Sequence, residues 1–262
     1  MIAAPRPRNV RSIEDKAPQP SLADRVYHTV LDQILRGTLP VGAVLSRRRL
    51  ADQFKMSIVP VAEALQRLEI EGLLESRPQA GTRVKVPNAE EIRGRFDLRQ
   101  ALECESARLC AERASSQELL ELKKLAANLD ALQSKRAARN HDDDFAFRVN
   151  EHHVELHMRI AEYSHSEVLR AEIKKTHVLV FNWLYDTTRE GRDLPPNFHA
   201  HLIQAIASGH PQKADDVMRA HVMIGLESTL NAMEPLQRLN WRVLPSRLAP
   251  IRRLPAATPT GR

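Results

Sequence analysis

Two histidines four residues apart are the strongest candidates for chemistry in this chain. His153 and His157 fall side by side on one face of a predicted helix. Such a pair is a common metal clamp, because both imidazoles can reach one ion at about 2 Å. His199 and His221 follow on two later predicted helices. A lone histidine would be interpreted as a polar core residue, whereas several that converge favour a metal site.

A hydrolytic role for this histidine pair is not supported by its spacing. The zinc protease pattern needs a glutamate directly after the first histidine. Here Glu155 is two residues beyond His153, about 200° round the helix, so it cannot act as the base beside that histidine. The chain also shows no nucleophile elbow, P-loop or glycine-rich dinucleotide turn. We therefore expect a protein that is not an enzyme.

The stretch from Leu50 to Val84 predicts two helices, a turn and a hairpin. Apolar residues recur at i, i+3, i+4 and i+7 in the second helix, which Gly72 ends. The alternation after Gly81 has the two-residue period of a strand. A helix-turn-helix followed by a small β-wing is a device that reads DNA, with the second helix in the major groove. From the pattern alone, an ordinary helical hairpin with a loop stays open as the alternative.

This stretch resembles the winged helix of the GntR family of bacterial transcription regulators. The shared features are the Leu-Ala opening, Ser57, Pro60-Val61, Glu63-Ala64-Leu65, Arg67-Leu68-Glu69, Glu71-Gly72-Leu73 and Gly81. Two positions depart from the family, whose members usually carry arginines that contact the operator where this chain has Ile58 and Ala62. The resemblance implies a DNA-binding protein with a different operator or weaker binding. A metal- or metabolite-binding protein with a degenerate winged helix is the alternative.

The resemblance also predicts which residues contact DNA. Arg48, in the run from Arg47 to Arg49, is the first candidate for reading a base, with Gln66 and Arg67 next, since Arg suits guanine and Gln suits adenine. Arg77, Arg83 and Lys85 flank the wing and are expected to contact phosphates. The predicted DNA-binding set is Arg47, Arg48, Arg49, Ser57, Pro60, Gln66, Arg67, Arg77, Gly81 and Arg83.

From Ile92 to about Met233 the patterns are almost wholly helical and predict an all-α bundle. This half resembles the C-terminal, ligand-binding domain (the FCD domain) of the FadR subfamily within GntR. The resemblance rests on Arg99-Gln100-Ala101-Leu102-Glu103, Leu156-His157 with Ile160-Ala161, His199 with Ala205-Ile206, and His221. Together the two halves predict a mainly α protein, a winged helix-turn-helix followed by an all-α bundle.

The resemblance supplies a ligand set for the metal. Many members of the subfamily use an Asp four residues before a His, with two further His on later helices. His157, His199 and His221 match three of these positions, and His153 stands at the Asp position. Coordination by all four would make an all-imidazole site that suits Zn or Ni. A weakened site that binds an effector without metal is the other outcome.

Arg99 is the candidate effector residue. An arginine early in the bundle can clamp the carboxylate of an organic acid. An ion pair with Glu103 at i+4 is the competing interpretation.

Composition and charge give the expectations for nucleic acid binding, for membrane segments and for the cysteines. Net charge is +3 over 21–87, −5 over 88–234 and +6 over 235–262, which fits nucleic acid binding at one end of the folded part. No run is apolar enough to span a membrane or to act as a secretory signal. Cys104 and Cys110 are too far apart along a helix to bridge, so reduced thiols in the cytoplasm are expected.

The predicted organisation has five parts. These are a disordered arm 1–20, a winged helix-turn-helix 21–87, a linker 88–95, an all-α effector domain 96–234 and a basic, Pro-rich, disordered tail 235–262. We expect a homodimer on an inverted-repeat operator, because protein two-fold symmetry matches operator palindromy. A small carboxylate would control it. The helix predicted over Val168–Tyr185 is the proposed dimer element.

Overall fold

A computed structural model describes residues 20–79, 81–136, 143–176 and 194–237. The N-terminal unit holds α1 (Leu22–Leu35), β1 (Val44–Leu45), α2 (Arg47–Phe54), α3 (Ile58–Ile70), β2 (Leu74–Arg77) and β3 (Gly81–Val84). The bundle holds α4 (Ala89–Arg113), α5 (Ser116–Arg136), α6 (Asp143–Tyr163), α7 (helical over 167–176), α8 (Phe198–Ala207) and α9 (Pro211–Gln237). The arm before residue 20, most of the predicted tail and the second half of the Val168–Tyr185 helix lie outside the described residues.

The N-terminal unit has the predicted helix-turn-helix and wing. Its sheet is antiparallel in the order β1-β3-β2, and the wing hairpin pairs Leu74 with Val84 and Arg77 with Gly81. Val61, Ala64, Leu65 and Leu68 form the buried stripe of α3, as the periodicity predicts. Lys55 adopts a left-handed conformation at the turn between α2 and α3, and Gly72 has φ +83° where α3 ends.

Helix α1 is the support for this unit. A capping box between Ser21 and Asp24 starts it, because each side chain bonds the other's backbone N–H. Val26, Val30 and Ile34 then pack into the same core as α3.

The segment predicted as a linker, 88–95, is instead the beginning of α4. Asn88 caps this helix in a second capping box with Glu91. Ile92 and Phe96 are fully buried in the bundle core, so the first two turns are held by packing as well as by the cap. The sequence interpretation took a polar run for a loop, whereas Asn-Ala-Glu-Glu is a helix start. At the other end, α9 continues past the predicted boundary at 234, with Pro235 inside it.

The winged helix and the bundle touch at two places. Val41, in the loop after α1, belongs to the buried core of the bundle. The Cζ of Arg36, at the end of α1, lies 4.4 Å from the ring centroid of Phe147 on α6, and Leu35 packs beside that ring. Helix α6, which carries the histidine pair, therefore contacts the DNA-binding unit directly. Over the described parts of the chain, no helix is both long and apolar enough to cross a bilayer.

Candidate metal centre and nucleic-acid interface

Three imidazole nitrogens meet inside the bundle. The Nε2 atoms of His153 and His157 on α6 are 3.2 Å apart. The Nε2 of His221 on α9 lies 3.3 Å from that of His153 and 3.1 Å from that of His157. Helix periodicity explains the first contact, and α4, which packs against both α6 and α9, brings His221 to the pair.

These distances suit a shared ion. Zn–N bonds of about 2.0–2.1 Å in tetrahedral geometry separate neighbouring ligand nitrogens by roughly 3.3 Å. The three Nε2 atoms lie at 3.1 to 3.3 Å from one another. Three neutral imidazoles that point their Nε2 atoms at one place cannot all hydrogen-bond one another, whereas one cation satisfies all three lone pairs.

His157 is oriented by a carboxylate behind it. Its Nδ1 donates to Glu103 of α4, and both side chains are buried. This bond leaves the Nε2 of His157 as the lone-pair nitrogen that faces the cluster. Arg99 Nε donates to Glu103 Oε1 at 2.7 Å and neutralises the buried carboxylate. The ion pair predicted as one interpretation of Arg99 is therefore present.

His199 is held by a second carboxylate. Its Nδ1 donates to Asp130 Oδ1 of α5 at 2.6 Å. Asp130 also accepts the backbone N–H groups of His199 and Ala200 at 3.0 and 2.9 Å, so it caps α8 from another helix. Burial raises the pKa of Asp130, but these hydrogen bonds outweigh it and hold the pKa below its usual value. The carboxylate is thus charged.

The fourth predicted ligand lies beside the other three. The ring centroid of His199 is 5.4 Å from that of His153 and 5.3 Å from that of His221. Its Nε2 is buried and has no hydrogen-bond partner among the described residues. A buried lone pair with no partner is costly, and a metal ion is a partner that would remove the cost. The structure thus groups His153, His157 and His221, whose ligand atoms lie within 4.8 Å of one another, and leaves His199 beside this group as a predicted fourth ligand.

The cluster is electrically suited to a cation. Burial, followed by repulsion from the neighbouring imidazoles, lowers the pKa values of His153 and His221 well below the usual histidine range. Both rings are therefore neutral near pH 7, the state that ligates metals. The donor set fits a borderline ion such as Zn²⁺ or Ni²⁺. Phe198 stacks on the His221 ring at 4.4 Å and sets its orientation.

A small cavity of about 30 Å³ opens beside the histidines. Its wall includes Arg99, Asn150 and Phe198 together with His153, His199 and His221. This volume holds an ion with one or two solvent ligands, and it is smaller than most organic acids. Arg99 thus faces the cavity in which the sequence predicted an effector, while its Nε is engaged by Glu103.

The candidate DNA interface lies on the other unit, at the starts of α2 and α3. Arg47, Arg48 and Arg49 are all exposed in the first turn of α2, which Ser46 caps. Ser57 occupies the N-cap of α3, and Pro60 lies in its first turn. Gln66 is exposed two turns further along the outer face. Arg47, Arg48, Arg49, Ser57 and Gln66 are thus exposed, as contact with DNA requires, and their role in DNA binding stays a prediction.

Arg67 is directed to the supporting helix. Its Nη1 donates to Asp24 of α1 at 2.6 Å, and its guanidinium lies 4.3 Å from the centroid of the Tyr27 ring. The bond from Arg67 lowers the pKa of Asp24, and the pKa of Arg67 is raised in return. Both contacts tie α3 to α1. This arrangement gives Arg67 a positioning task and favours Arg48 and Gln66 for contact with bases.

The structure of the wing argues against the predicted contact of Arg83 with a phosphate. Because β3 is the central strand, Arg83 is covered from both sides, and its side chain is only 9% exposed. Its Nε donates to Glu75 Oε1, the cross-strand neighbour, at 2.7 Å. A residue so placed is not presented to a phosphate. Arg77 is exposed next to the tip, and Gly81 at φ +87° allows the tight return. Lys85 is paired with Glu91.

Two orienting residues were missed at the sequence level. Glu103 stands in a motif that carried the resemblance, but its role behind His157 needed the third dimension. Asp130 lies 69 residues before His199, and no local spacing signals their contact. Carboxylates behind ligand histidines are a common feature of metal sites.

Comparisons with known proteins agree with this architecture. The family model for bacterial regulatory proteins of the gntR family matches residues 22–84, and the FCD domain matches residues 95–223. The chain belongs to the gntR family of bacterial regulatory proteins and carries an FCD domain after its helix-turn-helix. The family consists of DNA-binding transcriptional regulators, which confirms the expectation that the protein is not an enzyme.

Individual relatives cover both halves of the chain. The probable D-xylose utilization operon transcriptional repressor of Paenarthrobacter nicotinovorans is 27% identical over 81% of this chain and 90% of its own length. The transcriptional repressor RspR of Escherichia coli K12 is 26% identical over 63% of this chain and 72% of its own. Among solved structures, E. coli McbR/YncC is similar in fold, with a TM-score of 0.60 at 24% identity over 84% of this chain and 100% of that one.

Proposed function

We propose that the protein is a cytoplasmic transcription regulator, most simply a repressor, that binds an inverted-repeat operator as a homodimer. A divalent metal held by His153, His157, His199 and His221 would control this binding together with a small carboxylate. The observation that carries the metal part is the meeting of three Nε2 atoms at 3.1 to 3.3 Å beside the unpartnered Nε2 of His199.

Support for the metal comes from this chain's own residues and from its class. FCD domains bind metal in some members of the family. In this chain Glu103 and Asp130 orient two of the ligands, and Arg99 balances one of the two carboxylates. Many members of the family have Asp at the position of His153. A neutral imidazole compensates less of the ion's charge than a carboxylate does. An anionic ligand is then the natural complement to the site.

The carboxylate part follows from charge and space together. An ion with four neutral ligands keeps its double positive charge, and the guanidinium of Arg99 faces the same cavity. A carboxylate is attracted to such a place. The cavity measures about 30 Å³, so an organic acid needs residues of its wall to move aside. An effector can control DNA binding only if it binds two arrangements of the protein with different affinities. A carboxylate that binds only after this movement meets that condition.

The route from the site to DNA is short. Helix α6 carries His153 and His157, and its other end places Phe147 under Arg36 at the end of α1. Helix α1 in turn holds α3 through Asp24 and Tyr27. A shift of α6 on ligand binding would therefore move the base of the DNA-binding unit. In a homodimer it would change the spacing of two recognition helices and so the fit to two half-sites.

The proposed function is tested by selection from random duplexes. Full-length protein is loaded with Zn²⁺ or Ni²⁺, or treated with a chelator, and bound DNA is sequenced and its affinity measured at physiological salt. We expect an inverted repeat bound at least about a thousandfold more tightly than random DNA. Equal affinity for every duplex would overturn it, and would favour a metal-binding protein with a degenerate winged helix.

A further inference from the structure

The first turn of α3 exposes two large apolar side chains. Ile58 is 51% exposed and Val59 68% exposed, although both belong to residue types that are usually buried. The core does not need them, because Val61, Ala64, Leu65 and Leu68 already bury the inner face of this helix. Ala62, one turn after Ile58, continues the apolar surface. We refer to Ile58, Val59 and Ala62 as the apolar turn.

The surroundings of the apolar turn suit a polyanion. Three exposed arginines open α2, the preceding helix of the helix-turn-helix, and neither α2 nor α3 has an acidic residue in its first turn. The N-terminal end of each helix adds a partial positive charge. An apolar surface framed by positive charge fits duplex DNA, whose grooves combine phosphates with base edges.

The chemistry of the side chains restricts what they can read. Isoleucine, valine and alanine form no side-chain hydrogen bonds, so they cannot use the donors and acceptors of the major groove. The apolar group exposed in that groove is the C5-methyl of thymine. In a helix-turn-helix, the N-terminal residues of the second helix are those that approach base edges.

We propose that the apolar turn recognises thymine C5-methyl groups in each operator half-site, as the contact that Ile58 and Val59 make in place of a hydrogen bond to a base. The proposal rests on the proposed function, because it needs a specific operator. Polar readout is then left to Arg48 and Gln66, which are exposed on α2 and α3. The operator accordingly carries thymine, on one strand or the other, at the positions that face the first turn of α3.

Removal of single methyl groups from the operator tests this. Each thymine of the selected operator is replaced in turn by deoxyuridine, which keeps every Watson–Crick bond. Transfer of one methyl group from water is worth about 0.8 kcal/mol, which corresponds to roughly fourfold in affinity. We expect a loss of about that size at one or two positions in each half-site, related by the two-fold symmetry. Other thymines should be insensitive.

Variants assign the effect to the apolar turn. Val59→Ala and Ile58→Ala should lose sensitivity to deoxyuridine at those positions, because the side chain that met the methyl is gone. Ile70→Ala is the matched control, since Ile70 is 78% exposed at the far end of the same helix. It should keep the sensitivity of wild type. Thermal melts of the three variants confirm that they remain folded.

The outcomes separate the two proposals. A selected operator in which no deoxyuridine weakens binding would overturn methyl recognition and leave DNA binding intact. Unchanged methyl sensitivity in both Val59→Ala and Ile58→Ala would also overturn it, and would assign the apolar turn to another partner such as a protein. If no operator is selected at all, the proposed function fails and methyl recognition fails with it.

Discussion

Asp130 binds His199 twice, through the imidazole Nδ1 at 2.6 Å and through the backbone N–H at 3.0 Å. One carboxylate on α5 therefore fixes both the start of α8 and the nitrogen that His199 turns toward the site. The N-cap residue of α8, Asn197, makes no side-chain cap bond of its own. The cap is supplied from a distant helix, and it links the stability of the bundle to the geometry of the histidine cluster.

Asp130→Asn tests the carboxylate behind His199. The amide oxygen can still accept from His199, but the amide nitrogen that replaces Oδ2 cannot accept from Ala200 N–H, so one cap bond is lost together with the negative charge. We expect metal affinity to fall by about 10- to 100-fold, measured by calorimetry with Zn²⁺. Asp216→Asn is the control, because Asp216 is exposed on α9 and lies outside the cavity wall. A control that loses as much affinity would refute the orienting role of Asp130.

His199→Ala tests whether the fourth histidine coordinates. The variant should bind metal at least tenfold more weakly than wild type, because one nitrogen donor is lost while the three converging Nε2 atoms remain. His201→Ala is the matched control, two residues along the same helix and exposed. It should load as wild type does. Equal metal content and affinity in the two variants would show that His199 is a structural residue only.

His153→Asp tests the consequence of having histidine at this position. The variant should keep the metal, because a carboxylate is also a ligand, and should bind a carboxylate probe more weakly, because part of the ion's charge is already neutralised. Acetate and malonate binding to the metal-loaded proteins is measured by calorimetry. In wild type, metal and carboxylate should each strengthen the binding of the other, as linkage requires. Probe affinities that do not depend on metal would contradict this.

Arg48 and Arg67 should behave differently in DNA binding. Arg48→Ala should lose discrimination between operator and random DNA, by about 1–3 kcal/mol for a base contact. Arg67→Ala should lower the thermal midpoint, because the side chain bonds Asp24 and covers Tyr27. At a temperature where Arg67→Ala is folded, it should keep most of its discrimination between operator and random DNA. Competition binding with both DNAs gives the answer, and a reversal of the two patterns would be decisive against this assignment.

Arg36→Gln tests the contact between the two units. It removes the cation over Phe147 and leaves the buried ring in place. We expect the metal-free variant to bind the operator about as tightly as wild type does. When metal or carboxylate is added, its operator affinity should change less than that of wild type. Arg25→Gln, on the same helix and exposed, serves as the control. An unchanged response in Arg36→Gln would exclude this contact as the route.

The class of fold and the pair of His153 and His157 could be predicted because their signals are local. Periodicity identified α3, and four-residue spacing identified the pair of His153 and His157. The family resemblance added His199 and His221, which the structure brings next to them. None of these inferences depended on knowing how distant helices pack.

The residues whose roles were predicted wrongly or missed depend on contacts between distant parts of the chain. Arg83 was assigned to phosphate because it flanks the wing, but the sequence does not show that β3 has neighbours on both sides. Arg67 occupies a family position, yet its direction depends on Asp24 and Tyr27, which lie 43 and 40 residues earlier. Asp130 and Glu103 orient histidines that the fold brings from other helices. The sequence shows which residues are charged, whereas the burial of a side chain and the direction in which it points depend on packing.

The central claim is that occupation of the histidine cluster controls operator binding. The most direct measurement is the operator affinity of one full-length preparation, first freed of metal by a chelator and then titrated with Zn²⁺ or Ni²⁺, in parallel with His157→Ala. We predict that wild-type affinity changes by at least about tenfold as one ion per chain binds, and that His157→Ala binds neither ion and shows no change. An operator affinity in wild type that is identical with and without bound metal would contradict the claim.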